Sequence, residues 1–110
     1  YFLFCEDMGA EPVPVLAAGV PCQNSGTCAH HSKDELTCMG QQGGVPMEEM
    51  DQYIQDVLDL IEYANGDARK TVWGKKRAEA GHPKPFNLKF IGIGNEDMIT
   101  PVFVERFKMP

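Results

Sequence analysis

The 110-residue sequence lacks any long hydrophobic run and is poor in positive charge. Its apolar stretches fall well short of the roughly 18 residues that a membrane-spanning helix needs, so we expect no membrane partner. Ten lysines and arginines stand against sixteen aspartates and glutamates. Proteins that bind nucleic acids usually carry a basic face that neutralises phosphates, so we expect no nucleic-acid partner. The one basic cluster, Lys75-Lys76-Arg77, is interpreted as solvated surface.

The sequence also lacks an initiating methionine and the basic first region of a signal peptide. It begins with the apolar run Tyr1-Phe2-Leu3-Phe4 and stops at Met109-Pro110, just after a pattern typical of the first turns of a helix. We therefore expect both ends to be cuts through a larger protein. The composition, 43% hydrophobic and 24% charged, is that of an ordinary globular domain.

Hydrophobic spacing predicts an alternation of helices and strands along the chain. The predicted elements are the end of a helix at residues 2–8, a strand at 13–18, a helix at 50–64, a second strand at 86–93 and the start of a helix at 102–107. The first strand is a nearly continuous apolar run, which is typical of a parallel strand covered on both faces. The order of elements indicates a parallel α/β fold.

The long interval at about residues 20–46 has no helical or strand period and predicts a loop. Loops of this length are uncommon unless they are functional or disordered. Five side chains in it carry metal-ligand atoms: Cys22, Cys28, His30, His31 and Cys38. Their spacing does not match a zinc site, so a metal site, a disulfide and unpaired thiols all stay open. We expect no cofactor, and we keep a small metal-binding or redox module built on this loop as an alternative function.

Residues 67–85 are polar and mixed, and no regular element is predicted there. Trp73 is the one large apolar side chain in this connection, and anchoring the connection is favoured over stacking on a sugar. Cys5, on the apolar face of the first helix, is expected to be a small core residue.

A polar triplet, Gly94-Asn95-Glu96, follows the second predicted strand directly. Where parallel strands and helices form a barrel, functional side chains lie at the carboxyl ends of the strands. Glu96 would present a carboxyl group at the rim of an apolar interior, where burial makes it a better proton donor. Asn95 could hydrogen-bond a sugar hydroxyl. The structural alternative is that Glu96 and Asp97 only cap the following helix.

Three phrases of the sequence resemble consecutive strand, helix and strand signatures of the α-L-arabinofuranosidases of glycoside hydrolase family 51. They are CEDMGAEPVPVLAAG, QYIQDVLDLIEYANGD and GHPKPFNLKFIGIGNED. The resemblance covers nearly the whole chain outside residues 21–44. It implies a partial (β/α)8 barrel of about two βα units, strands three and four of the parent barrel. It also implies that Glu96 is the general acid/base and that Asn95 binds the sugar beside the scissile bond.

The same resemblance implies a retaining hydrolase that removes terminal arabinofuranosyl groups from plant polysaccharides or oligosaccharides such as those of arabinan. The family's nucleophile, a glutamate on the seventh strand, is absent from this sequence, so we expect the isolated chain to be inactive. Uncovered strand edges predict self-association. Because Asn-Glu at a strand end is shared by many retaining barrel glycosidases, another enzyme of that group is the second alternative.

Overall fold

The structure, a computed structural model, describes residues 1–20, 44–95, 97 and 101–109. Its elements are α1 (Phe2–Met8), β1 (Val15–Leu16), a 3-10 turn (Met47–Glu49), α2 (Met50–Asn65), α3 (Val72–Glu79), β2 (Gly92–Ile93) and α4 (Pro101–Phe107). The chain forms two compact units, one made of Tyr1–Pro14 and Gln55–Ile91, the other of Val15–Ile54 and Gly92–Pro110. None of the described helices combines the length and apolarity needed to cross a lipid bilayer.

The sheet of the second unit consists of β1 and β2, which are parallel as the sequence predicts. Val15 pairs with Gly92 and Leu16 with Ile93. The N–H of Gly94 then donates to the carbonyl of Leu16 at 2.7 Å, which continues the pairing one step past β2. Parallel strands joined through a helix are the basic unit of an α/β fold, so this part of the prediction is confirmed.

The strands are shorter and more exposed than predicted. Each has two residues, whereas the apolar runs covered 13–18 and 86–93. Asn87 has φ = 57°, a left-handed conformation that interrupts any strand, so extended pairing begins only after it. Val15 of the first strand is 58% exposed, so the prediction that this strand is covered on both faces was wrong. Among the described residues the sheet has two strands, and a face of a sheet is covered only where a helix or a second sheet packs on it.

The predicted end of a helix at residues 2–8 is confirmed as α1, which closes at Gly9 with φ = 65°. Phe2 stacks on Phe86 with ring centroids 5.2 Å apart, and His82 stacks on Phe86 at 3.9 Å. The Nε2 of His82 also lies 3.0 Å from the carboxylate of Glu6. These contacts fasten α1 to the connection that precedes β2. Cys5 is buried, as predicted for a small core residue.

The long central helix is confirmed as α2, entered through the 3-10 turn that contains Glu48 and Glu49. Asn65, its last residue, bonds the backbone of Leu88 in both directions. Its Nδ2 donates to the Leu88 carbonyl at 2.8 Å, and its Oδ1 accepts from the Leu88 N–H at 2.7 Å. The side chain therefore satisfies the backbone N–H and carbonyl of Leu88, which have no strand partner in the described part of the chain.

The helix α3 lies in the connection where no element was predicted. Its N-cap is Thr71, whose Oγ1 accepts from the N–H of Gly74 at 3.1 Å. The N–H of Trp73 donates to Glu62 Oε2 at 3.1 Å, and Lys76 Nζ lies 4.1 Å from the centre of the Trp73 ring. The first contact holds the start of α3 against Glu62 of α2, and the second places a cation over one face of the Trp73 ring. The Trp73 side chain lines a cavity together with Leu60 and Tyr63 of α2, which fits an anchoring role.

Arg77 of α3 is completely buried, so the interpretation of Lys75-Lys76-Arg77 as solvated surface was wrong for its last member. Its guanidinium donates to three backbone carbonyls, those of Tyr63 at 2.9 Å, His82 at 3.0 Å and Pro83 at 2.9 Å. Tyr63 lies in the last turn of α2, where helix carbonyls lack intrahelical partners. A buried charge is tolerated here because its donors are matched with acceptors.

Candidate active site

The candidate site is the carboxyl edge of the two-stranded sheet. Because β1 and β2 are parallel, the residues that follow them emerge at the same edge. β1 leads into Ala17, Ala18 and Gly19, and β2 leads into Gly94 and Asn95. This is the edge at which parallel α/β proteins bind their ligands.

After β2 the described residues Gly94, Asn95 and Asp97 contact one another closely. Gly94 has φ = 86°, and a Cβ on it would lie 2.6 Å from Asp97 Oδ2 and 3.2 Å from the Phe103 ring. The N–H of Asn95 donates to Asp97 Oδ2 at 2.9 Å. The Asp97 carboxylate thus holds the backbone N–H of Asn95, while α4 begins at Pro101. Gly94 is required here both for its conformation and for the missing side chain.

The two residues predicted for the site are placed differently by the structure. Asn95 is exposed at the carboxyl edge, where its side chain can meet a ligand. Glu96 lies outside the described residues, between Asn95 and Asp97. The roles assigned to both stay predictions.

At the end of the other strand, β1, the backbone is held by Tyr53 of α2. Its hydroxyl donates to the carbonyl of Ala17 at 2.7 Å. Burial raises the pKa of Tyr53 above its usual value, because the phenolate would lose solvation. The neutral phenol is therefore the form that keeps the hydrogen bond. The sequence predicted Tyr53 only as a residue on the apolar face of a helix.

A second group at this edge, Arg106 of α4, was not predicted from the sequence at all. Its side chain is only 8% exposed, and its NH2 donates to the carbonyl of Val45 at 3.0 Å. The Nε of Arg106 is buried and has no hydrogen-bond partner among the described residues. The only signal in the sequence is an arginine beside Glu105 in the mostly apolar run Val102-Phe103-Val104-Glu105-Arg106-Phe107, a pattern equally typical of a solvated helix face.

The residues that the structure describes contain no group of three or more His, Cys, Asp or Glu side chains placed to hold a metal ion. The five potential ligands singled out in the sequence, Cys22, Cys28, His30, His31 and Cys38, all lie outside those residues. The metal, disulfide and free-thiol alternatives for that interval therefore stay as the sequence left them.

Comparison with known proteins identifies the family. A family model described as the alpha-L-arabinofuranosidase 1 domain matches residues 1–109. The chain belongs to the α-L-arabinofuranosidase family. The resemblance carried by the three sequence phrases is thereby confirmed.

The similar arabinofuranosidases come from bacteria, plants and fungi. An extracellular exo-alpha-L-arabinofuranosidase of Streptomyces chartreusis is 44% identical over 109 residues, which are 98% of this chain and 11% of that protein. Alpha-L-arabinofuranosidase 2 of Arabidopsis thaliana is 34% identical over 97 residues, 88% of this chain and 11% of that protein. The chain thus spans about a tenth of the length of these two relatives.

A solved structure extends the likeness to three dimensions. The arabinose-bound MgGH51 α-L-arabinofuranosidase superposes with a TM-score of 0.66 at 30% identity. The match covers 97% of this chain and 15% of that one. It supports an α/β piece of an arabinofuranosidase, in agreement with the parallel strands and intervening helices described above.

Proposed function

We propose that this chain supplies the acid/base half of the active site of a retaining α-L-arabinofuranosidase. In this proposal β1 and β2 are the third and fourth strands of a (β/α)8 barrel, and Glu96 is the general acid/base. The nucleophilic carboxylate lies outside these 110 residues. The substrate is a polysaccharide or oligosaccharide with terminal arabinofuranosyl groups.

The observation that carries the proposal is the hydrogen bond between Asn95 and Asp97 after β2. Asn95 is exposed at the carboxyl edge of a parallel sheet, and the Asp97 carboxylate holds its backbone N–H at 2.9 Å. A catalytic group needs a fixed backbone beneath it, since a displacement of about 1 Å can lower the rate about a hundredfold. Family membership supports the proposal further, because the similar proteins are named as arabinofuranosidases.

The chemistry assigned to Glu96 has two steps. In the first, its carboxyl group protonates the leaving glycosidic oxygen while the nucleophile attacks the anomeric carbon from the opposite face of the sugar. In the second, its carboxylate takes a proton from the water that hydrolyses the glycosyl-enzyme. Retaining enzymes need the two carboxyl groups about 5–5.5 Å apart. Asp97 cannot be the second group, because it adjoins Glu96 in the sequence and cannot reach the opposite face of the sugar.

Asn95 is proposed to bind the sugar beside the scissile bond. Its side-chain amide both donates and accepts hydrogen bonds, which matches a hydroxyl group. Its position next to Glu96 in the sequence would bring this contact close to the proton transfer.

The test is Glu96→Ala in the full-length protein that contains this chain. Natural arabinosides, which have poor leaving groups, should be hydrolysed about 10²–10⁴-fold more slowly, the usual contribution of general acid–base catalysis. A nitrophenyl arabinofuranoside hardly needs the proton, so formation of its glycosyl-enzyme should survive. Azide should then speed release of the sugar, because an anion needs no deprotonation, and the product should retain the anomeric configuration.

The matched control is Glu105→Ala, which removes an exposed glutamate from α4. It should leave the rates on both substrates unchanged. Equal losses for Glu96→Ala on both substrates, without an azide effect, would show that Glu96 has a structural role and would defeat the proposal.

A further inference from the structure

The interval between residues 20 and 44 begins and ends at one narrow point beside the sheet. The N–H of Val45 donates to the carbonyl of Gly19 at 2.9 Å. The backbones run so close that a Cβ on Gly44 would collide with the Gly19 carbonyl oxygen and lie 2.8 Å from Val20 Cα. A Cβ on Gly19, which has φ = 82°, would meet Met50 Sδ at 2.7 Å. We name this arrangement of Gly19, Val20, Gly44 and Val45 the clasp.

Arg106 secures the clasp from α4. Its NH2 donates to the Val45 carbonyl at 3.0 Å, and its Cδ lies 3.3 Å from the Cβ position of Gly19. Both backbone polar groups of Val45 are therefore hydrogen-bonded. Its N–H donates to Gly19, and its carbonyl accepts from Arg106. Gly19 follows β1 by three residues and Asn95 follows β2 by two, so the clasp and Asn95 lie at the same edge of the sheet.

The described residues do not supply partners for every buried donor of the Arg106 guanidinium. A buried guanidinium is expensive to desolvate unless all its donors are matched. Arg77 meets that condition with three carbonyl partners. Arg106 does not, because its buried Nε has no partner among the described residues. An apolar side chain of similar length would fill the same space without leaving a charge in it.

We propose that Arg106 is a positioning residue, which closes the clasp and thereby holds the end of β1 in register with the edge that carries Asn95. Its consequence for catalysis rests on the function proposed above. The closure of the clasp does not, since it follows from the hydrogen bonds alone.

The structural arm of the test uses limited trypsin digestion of the full-length protein. Lys33 is the one lysine or arginine between residues 21 and 43, so cleavage there reports whether the ends of the interval are held. Arg106→Met should speed this cleavage about tenfold, the factor expected when one charge-assisted hydrogen bond is lost. Gly44→Ala should also speed it, because the added Cβ would collide with the Gly19 carbonyl oxygen and force the two backbones apart. Arg106→Lys can still donate to Val45 and should stay near the wild-type rate.

Arg77→Met is the matched control, since it removes a buried arginine from the other compact unit. It should lower the unfolding temperature more than Arg106→Met does, because it leaves three carbonyls without their donor. Its cleavage at Lys33 in the folded protein should not rise. If Arg106→Met is cut at Lys33 no faster than Arg77→Met, the clasp has no such role and the proposal is overturned.

The catalytic arm separates KM from kcat. Arg106→Met should raise KM for an arabino-oligosaccharide while kcat is largely kept, whereas Glu96→Ala should lower kcat. An unchanged KM despite faster cleavage at Lys33 would overturn the positioning role. If the wild-type protein has no arabinofuranosidase activity, the proposed function fails, and the trypsin result still decides whether the clasp exists.

Discussion

At the scale of single residues, Tyr53 links the stability of the site to pH. Its hydroxyl donates to the Ala17 carbonyl, and burial raises its pKa above the usual 10.0. A raised folded-state pKa means that this stabilisation is complete below the unfolded pKa. It is lost as the pH rises through the folded value. Alkaline conditions should therefore loosen the end of β1.

The prediction is that Tyr53→Phe lowers the free energy of unfolding by about 1 kcal/mol at neutral pH, the usual value of one hydrogen bond. Well above pH of about 10, the difference from wild type should shrink, because the phenolate can no longer donate. Denaturant unfolding at the two pH values measures this. Tyr1→Phe is the control, since the Tyr1 hydroxyl accepts from the Val13 N–H and ionisation does not remove an acceptor. A constant difference across pH would contradict the assignment.

At the scale of elements, α3 depends on its N-cap. Thr71 Oγ1 accepts from the Gly74 N–H at 3.1 Å and donates to the Asp67 carbonyl at 2.9 Å. With eight residues, α3 is too short to be stable without such contacts. The cap therefore decides whether the first turn is closed.

Thr71→Ala should lower the local stability of α3 by about 1 kcal/mol, as measured for other N-cap residues. Hydrogen exchange of peptides covering residues 72–79 in the full-length protein would detect the faster opening. Thr71→Ser keeps the hydroxyl and should restore most of the protection. Exchange that is equally slow in the alanine variant would show that tertiary contacts, not the cap, hold the helix.

The elements also show what the sequence could predict. The helices α1, α2 and α4 were predicted because their apolar residues repeat with helical period. α3 was missed because its most buried long side chain is Arg77, which reads as a surface residue. The strands were predicted too long, since an apolar run does not reveal a left-handed residue such as Asn87.

The site was predictable only in part, and for a related reason. Asn95 and Glu96 were singled out because polar residues directly after an apolar strand stand out in a sequence. Tyr53 and Arg106 act on backbone carbonyls of residues distant in the chain, those of Ala17 and Val45. A carbonyl is present at every position, so no sequence pattern marks such a partner.

At the scale of the whole molecule, several large apolar side chains are open to solvent. On α1, Phe4 is 67% exposed and Met8 66% exposed, and on β1 Val15 is also exposed. Apolar side chains and free strand edges favour association with other copies. The 110-residue chain by itself should therefore self-associate.

Sedimentation velocity of the isolated chain should reveal species larger than a monomer, and the double variant Phe4→Glu, Met8→Glu should reduce them. A single monomer boundary at the highest soluble concentration would contradict this. The same preparation should not hydrolyse an aryl arabinofuranoside above the level of Glu96→Gln, because the proposed function places the nucleophile of the covalent step outside these 110 residues.

The narrow separation of Gly19 and Val45 also bears on how this protein can evolve and be engineered. Because one hydrogen bond of 2.9 Å joins the two positions, the chain between them starts and ends at neighbouring points, whatever its length. Closing a longer insert adds only about 0.6 kcal/mol for each doubling of length. Homologous enzymes can therefore differ widely in length between these two positions without shifting either strand. For the same reason a foreign peptide or binding module could be grafted there, beside the carboxyl edge of the sheet, with Gly19, Gly44 and Arg106 kept as its base.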